Sequence, residues 1–362
     1  MTAAAIADDL TGALEIGALL AAAGLRAWVT TRWPNPLAAT LDATIDALVI
    51  DTETRSLPGP EAAARVRTAA ACLNAKWLYQ KTDSTLRGPI AAELAALGAH
   101  RPVVFAPAYP RLGRTLHRGI LYVDGVPVSQ TAFAADPRHP VRQSDVLALL
   151  HGSEFIENAA ALASRLDQHH GPPLAEDAPE ILVCDARTDA ELAAIADVLR
   201  SRPPVICAGS GGFAAHWITL LPGLRTPPAP RPALRQPLLV CGSRHPASRR
   251  QAEAARAGGI RTIMPPKGHT GHPAEIVQAL AEEAARDACG DLILFGGDTA
   301  YAVLQRLGEH DLQALGEILP GVPLSRTRSG RLLVTKAGGF GEDDVVRRIL
   351  TSSTDPLIRP QP

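Results

Sequence analysis

The chain has 362 residues, 46% of them hydrophobic and 20% charged, with a formal net charge of -1. That length exceeds one usual domain, and the composition excludes general disorder. Near-neutral charge excludes the global electrostatic footprint of a nucleic-acid binder, and no apolar run approaches the ~20 residues of a membrane span.

The N-terminus MTAAAIADDLTG lacks a basic leader and meets acids early, so no signal peptide is expected and the cytoplasm is the expected compartment. The five cysteines are Cys72, Cys184, Cys207, Cys241 and Cys289, and none forms a C-x-x-C pair. Most lie in apolar runs such as ILVCDA, which predicts buried, reduced thiols rather than disulfides or metal ligands.

In chain order, strands are expected at Ala3–Ala7, Ala27–Thr31, Ala47–Asp51, Trp77–Lys81, Val103–Ala106, Ile181–Asp185 and Pro204–Ala208. Segments with helical apolar spacing separate most of them, among them Thr11–Ala23, Pro60–Asn74 and Thr188–Arg200. Such alternation predicts parallel sheets covered by helices. Gly24 suits a left-handed helix stop, and Thr188 before Asp189 and Glu191 suits a helix start. Gly119–Pro140 differs: its Asp124-Gly125 turn signal predicts one or two hairpins outside the parallel core.

The proline-rich stretch before residue 238 denies the backbone both helix and ladder hydrogen bonds, so an extended linker is expected over 226–237. The α/β pattern then restarts. Strands are expected at Leu238–Cys241, Arg261–Met264, Asp291–Phe295 and Arg331–Thr335. Helices are expected at Ala247–Ala257, Pro273–Arg286, Thr299–Leu307 and Asp343–Leu350. The reading is α/β with two domains, 1–225 and 238–362, each a largely parallel sheet covered by helices, with a cleft between them.

The unusual residues gather where expected strands end. That is where open α/β sheets bind ligands, and where helix N-termini offer free N–H groups to anions. Asp8 and Asp9 end the first strand; two adjacent carboxylates there can bind hydroxyls, take a proton or hold Mg²⁺, although one of them could simply cap the helix. Arg55 follows the third strand and could grip a carboxylate or phosphate with its fork, or lie on a surface loop. The densest polar run is Lys81-Thr82-Asp83-Ser84-Thr85-Leu86-Arg87-Gly88, just before a helix opening at Pro89. Two cations, an acid and three hydroxyls in so short a span suit a polyhydroxylated anion, and lysine is otherwise rare: Lys76, Lys267 and Lys336 complete the set. The Gly209–Gly212 turn lacks the acid that a dinucleotide fingerprint needs, so close helix packing is its expected role. His169, His170, His269 and His272 lie in or beside Gly/Pro loops without zinc-ligand spacing.

After the linker, three strand ends carry glycine or serine: Gly242-Ser243, Gly296-Gly297-Asp298-Thr299 and Ala337-Gly338-Gly339-Phe340-Gly341. Glycines let backbone N–H groups approach a phosphate closely, so three such loops in one small domain suggest a nucleotide site. No lysine stands in a Walker A context.

Together, IADDLTGALE at Ile6–Glu15, KTDSTLRGPI at Lys81–Ile90, the FAPAYP…YVDGVPV region, GGDTA at Gly296–Ala300 and TKAGGFG at Thr335–Gly341 resemble the four-carbon acid sugar kinase family over nearly the whole chain. The resemblance implies an N-terminal domain for the sugar acid and a C-terminal domain for ATP. It implies phosphorylation of D-threonate, D-erythronate or a related tetronate, generally on the 4-hydroxyl. Asp8, Asp9, Arg55, Lys81, Asp83, Ser84, Arg87 and Gly88 would then face the acid. Ser243, Gly296, Gly297, Asp298, Thr299, Gly338 and Gly339 would contact ATP, with Asp298 orienting Mg²⁺. The chain departs from the family in reading GGDT for GGET and AGGFG for SGNFG, and in being short around Leu166–Glu180. On this reading Asp9 is the general base, Asp8 holds neighbouring hydroxyls, and Arg55, Lys81 or Arg87 takes the carboxylate. No nucleic-acid or membrane partner is expected, and the chain could form a homodimer. A nicotinamide-dependent oxidoreductase of the same acids, or a sugar-acid sensor, are the other readings.

Overall fold

A computed structural model describes residues 1–32, 45–73, 75–98, 101–136, 138–168, 179–202, 205–224, 232–266, 271–287, 290–339 and 341–352. His169, His170, Lys267, His269, Cys289, Phe340 and the first part of the expected linker lie outside them. The chain forms two compact units: Met1–Ile16 with Arg32–Leu224, and Gly17–Thr31 with Arg225–Pro362.

The elements begin with β1 (Ala3–Ala7), α1 (Leu10–Ala22), β2 (Ala27–Thr30), β3 (Ala47–Asp51), α2 (Gly59–Ala71), β4 (Trp77–Lys81), α3 (Ile90–Gly98) and β5 (Val103–Ala106). The first unit continues with β6 (Arg114–His117), β7 (Ile120–Val123), β8 (Val126–Pro127), α4 (Val146–Leu149), β9 (Glu154–Ile156), α5 (Ala159–Asp167), β10 (Ile181–Cys184), α6 (Asp189–Leu199), β11 (Ile206–Gly209) and α7 (Gly211–Ile218). Its main sheet is parallel, in the order β3-β1-β4-β11-β5-β10-β9. Every residue of β1, β3, β5, β10 and β11 is buried. That is why these strands read as unbroken apolar runs: helices cover both faces of such a sheet. The chain leaves β1 for β3 on one side and β4 on the other, which makes the carboxyl end of β1 a topological switch point.

The hairpins expected near Gly119–Pro140 are a three-stranded antiparallel sheet, β6-β7-β8, whose last turn is Asp124-Gly125 with φ of 50° and 79°. Thr188 and Glu191 form a reciprocal capping box on α6, and Gly24 follows α1 with φ of 85°. At Gly212 an added Cβ would meet the Tyr109 ring at 2.9 Å, so the Gly-rich turn serves packing.

The second unit holds β12 (Leu238–Cys241), α8 (Pro246–Ala257), β13 (Arg261–Ile263), α9 (Pro273–Asp287), β14 (Leu292–Phe295), α10 (Gly297–Leu307), β15 (Asp311–Leu319), β16 (Val322–Thr327), β17 (Leu332–Lys336) and α11 (Val345–Ser352). Strands β13-β12-β14-β17 are parallel; β16 and β15 extend the sheet antiparallel. Its core joins Leu239, Ile293, Phe295 and Val334 of the sheet to Val346 and Ile349 of α11.

Three features depart from the sequence reading. Strand β9 and the β15-β16 hairpin are additional, and Gly17–Thr31, expected in the first domain, belongs to the second unit. The physical reason is pairing: β2 runs antiparallel to β15, with Trp28 opposite Gln313 and Thr30 opposite Asp311. The Thr30 hydroxyl donates to the buried Asp311 carboxylate at 2.8 Å. Arg328 lies over the Trp28 ring at 5.9 Å.

Candidate active site

In the first unit, three adjacent parallel strands deliver their polar ends to one place. Strand β1 ends at Asp8-Asp9, β3 leads into Thr52–Arg55, and β4 ends at Lys81 before Asp83. The Arg55 guanidinium grips Asp8 with two bonds, Nε to Oδ2 at 2.8 Å and Nη2 to Oδ1 at 2.9 Å. Its Nη1 donates to Asp9 Oδ2, and Nη2 lies 3.8 Å from Asp83 Oδ2. Arg87 holds Asp83 in a second fork, at 3.1 and 2.7 Å. Two arginines thus alternate with carboxylates, with planar forks that match carboxylate geometry.

The electrostatics follow from burial. Asp8 is 1% exposed, and burial pushes its carboxyl up from the usual range against the pull of Arg55. Burial would raise Asp83 as well, but Arg55 and Arg87 hold it well below the usual carboxylate range. Its Oδ1 also accepts the Thr85 backbone N–H at 2.9 Å and the Thr85 hydroxyl. Asp9 is the outermost of the three acids, with a side chain 20% exposed; its Oδ1 caps α1 by accepting the Gly12 N–H at 2.8 Å. The helix cap and the contact to Arg55 therefore coexist in one carboxylate.

The other expected residues divide. Lys81 is buried, donates to the Thr82 carbonyl at 3.0 Å and lies 3.6 Å from Glu15. Gly88, at φ 93°, makes room for Arg55: an added Cβ would meet Arg55 Cγ at 3.2 Å. Ser84 is half-buried in the same loop.

Sequence reasoning missed the layer behind these groups. Glu53, at φ 47°, accepts the Leu10 N–H at 3.2 Å, and so joins the second polar loop to the start of α1. Glu93 on α3 is fully buried beside Gln80, and burial raises its carboxyl to about 8. It was hidden because one acid in an Ala/Leu helix looks like a solvated face. The Asp136–Gln143 stretch was also missed: Asp136 lies 3.4 Å from Arg87, and Ser56 lies 3.2 Å from His139.

In the second unit the three glycine loops converge around Ser243. An added Cβ at Gly338 would meet Ser243 Oγ at 2.8 Å, and one at Gly296 would meet Ser243 Cβ at 3.5 Å. At Gly242 it would meet Thr299 Oγ1 at 2.3 Å. Helix α10 opens at Gly297 after Gly296, at φ 103°, with no side-chain cap on its first N–H groups. Gly339 has φ of 97°. Backbone packed this closely, with an uncapped helix N-terminus, fits a phosphate chain. Asp298, exposed in the first turn of α10, fits Mg²⁺ held by one carboxylate together with phosphate oxygens. Lys336, at the end of β17, is a further residue that the sequence reading left out. Its ammonium sits 4.7 Å from the Phe295 ring centre and donates to the Ala337 carbonyl at 3.0 Å. Burial lowers it to about 8.

Comparison with known proteins agrees with this division. Residues 3–217 match the family described as a sugar-binding N-terminal domain, and residues 270–346 match a nucleotide-binding C-terminal domain. The chain is 32% identical to a D-threonate kinase of Bordetella bronchiseptica, over 95% of each chain. A solved Salmonella typhimurium protein shares the fold at a TM-score of 0.78 and 22% identity, covering 96% of this chain and 98% of that one. A Bordetella bronchiseptica protein, solved as a domain-swapped dimer with bound citrate, is 29% identical with a TM-score of 0.54, covering 98% of each chain. The chain is therefore a small-molecule kinase that belongs to the four-carbon acid sugar kinase family.

Proposed function

We propose that the protein transfers the γ-phosphoryl group of ATP to the 4-hydroxyl of a four-carbon sugar acid, D-threonate, D-erythronate or a related tetronate. One observation carries the reading. The arginine–carboxylate cluster at the switch point of the first unit lies within the match to a sugar-binding domain, in a chain 32% identical to a D-threonate kinase.

The region 1–225, apart from the 17–31 segment that belongs to the second unit, binds the acid, 226–237 is the linker, and 238–362 binds the nucleotide. Asp9, the most exposed of the three acids, takes the proton of the attacking hydroxyl. Arg55 fixes its Oδ2 and the capped Gly12 N–H fixes its Oδ1, so the carboxylate keeps one orientation. Asp8, buried and doubly bonded to Arg55, acts chiefly by aligning that arginine rather than by holding hydroxyls. Arg55 and Arg87, with Lys81 and Ser84 beside them, provide cations and donors for the acid. Ser243, Gly296, Gly297, Thr299, Gly338 and Gly339 cradle the phosphates, and Asp298 would hold Mg²⁺ directly or through water. When bound, Mg²⁺ would neutralise developing phosphate charge.

The compartment is the cytoplasm; among the described residues no helix is long and apolar enough to cross a membrane. The assembly is a homodimer, which light scattering of the purified protein would test. The functional test is ADP release with ATP, Mg²⁺ and a panel of four-carbon acids. Saturable ADP production with one of them is expected. A folded protein that turns over none of them refutes the reading.

A further inference from the structure

The first unit contains a cavity of about 420 Å³ that the motif reading did not foresee. Its basic side chains are Arg55, Arg87, Arg138, His139 and Arg142, and no acid lines it. Two of these cations belong to the site already described. The other three groups come from the strap Arg138–Gln143, which follows the small antiparallel sheet.

The strap is fastened to both polar loops. Asp136 Oδ1 accepts the backbone N–H of Arg138 at 3.0 Å and of His139 at 2.9 Å, while its Oδ2 lies 3.4 Å from Arg87 Nη1. The His139 imidazole lies 3.2 Å from the Ser56 hydroxyl, next to Arg55 in sequence. The Val141 N–H donates to the Phe133 carbonyl at 3.0 Å, and Phe133 in turn underlies Arg87 at 5.6 Å. These contacts fix the strap against the site through its backbone and the His139 ring, and its side chains line the cavity.

Charge balance distinguishes the inner cations from the outer ones. Arg55 faces Asp8, Asp9 and Asp83, and Arg87 faces Asp83 and Asp136, so the inner pair is already matched by acids. Arg142 is exposed and has no carboxylate partner among the described residues. Burial, and then the charges of Arg55, Arg87 and Arg138 against the opposing Asp136, lower the His139 imidazole from its ordinary value. Its ring stays available as a hydrogen-bonding group beside the Ser56 hydroxyl. A cavity with guanidinium forks, an imidazole and no acid is built for a small carboxylate.

We propose that the Arg138–Gln143 strap is the acid-recognition element of this kinase, with Arg142 and His139 binding the carboxylate end of the substrate beside Arg87. The proposal rests on the kinase reading and deepens it: the strap sets the preference for sugar acids over uncharged sugars of the same length.

The test compares Arg142→Gln, Arg142→Lys, His139→Ala and His139→Gln with the unaltered protein. Steady-state kinetics would use D-threonate and its uncharged amide. Calorimetric titration with D-threonate, in the absence of nucleotide, would report binding without turnover. Loss of a charge-assisted hydrogen bond predicts that Arg142→Gln raises KM for the acid by about 10-fold or more. The kcat, the KM for ATP and the thermal midpoint should stay near their starting values. The discrimination between acid and amide should shrink by the same factor, Arg142→Lys should restore part of it, and His139→Gln should outperform His139→Ala. Unchanged acid KM and calorimetric Kd in Arg142→Gln would overturn the proposal while leaving the kinase reading intact. If no acid is phosphorylated, the kinase reading fails by itself; the titration still decides the strap, since equal binding in both proteins, or none in either, overturns it.

Discussion

Replacing Arg55 by alanine tests the site at its most connected point. The side chain is 14% exposed and faces Asp8, Asp9 and Asp83, whose side chains are 1%, 20% and 8% exposed. Its removal leaves three carboxylates facing one another with only Arg87 as a direct cationic partner of Asp83. Breaking a buried ion pair by deleting one partner costs about 3–5 kcal/mol, and the partial exposure here favours the lower end. For a unit of this size, ~3 kcal/mol lowers the melting temperature by roughly 6–12 °C. The deficit should depend on pH with a definite sign. Burial already lifts the Asp8 carboxyl above its unfolded value, and without Arg55 it rises further. A raised folded pKa means that the native state takes up a proton more readily, so stability returns as pH falls. Melting curves at pH 5, 6.5 and 8 should therefore show the largest gap between Arg55→Ala and the unaltered protein at pH 8 and the smallest at pH 5. A gap under about 2 °C at pH 8, or one of equal size at all three values, would refute an arginine-centred cluster.

Three further outcomes are expected. Asp9→Asn should lower kcat by about 10²–10⁴-fold in the ADP-release assay while nucleotide titration shows unchanged ATP affinity; near-normal turnover would remove Asp9 as the base. Gly242→Ala should weaken ATP binding by about 10-fold or more without altering acid binding, because its Cβ would sit 2.3 Å from Thr299 Oγ1 and displace the loop proposed to cradle the phosphates. Glu93, raised to about 8, keeps its proton in the fold where the unfolded chain would lose it. Its contribution to stability is therefore full below the usual glutamate range, declines as pH rises towards 8, and levels off above. Glu93→Gln should flatten that decline in melting temperature between pH 5 and 8, and a slope as steep as in the unaltered protein would show the carboxyl ionised throughout.

Most of the parallel framework was legible because its strands are buried on both faces. Runs such as Ala47–Asp51 and Leu238–Cys241 each carry four apolar residues between turn signals, and the structure returns both with the expected bounds. The polar clusters were legible because a folded sheet collects strand ends at one edge, so chemistry scattered through the sequence becomes local. The β15-β16 hairpin was not legible. Its burial alternates along Asp311–Leu319, but the inward positions include Ala314 and Gly316, and Leu315 and Leu319 fall on the other face. A register shift between Ala314 and Gly316 interrupts the two-residue period further. The membership of β2 depends on a partner near residue 311, a relation that local pattern does not carry. The strap Arg138–Gln143 has no periodicity either, and its cations acquire meaning only from the loops they face.

The pairing of β2 with β15 also bears on how the chain is made. Thr30 meets Asp311 across 281 positions of sequence. At ribosomal speeds of 5–20 residues per second, that strand waits roughly 15–60 s for its neighbour to be synthesised. Any fragment beginning at the linker would carry β15 as a bare edge with unpaired N–H and C=O groups, a template for self-association. Adding a peptide of residues 17–31 to such a fragment should restore solubility, because it supplies the strand that pairs with β15.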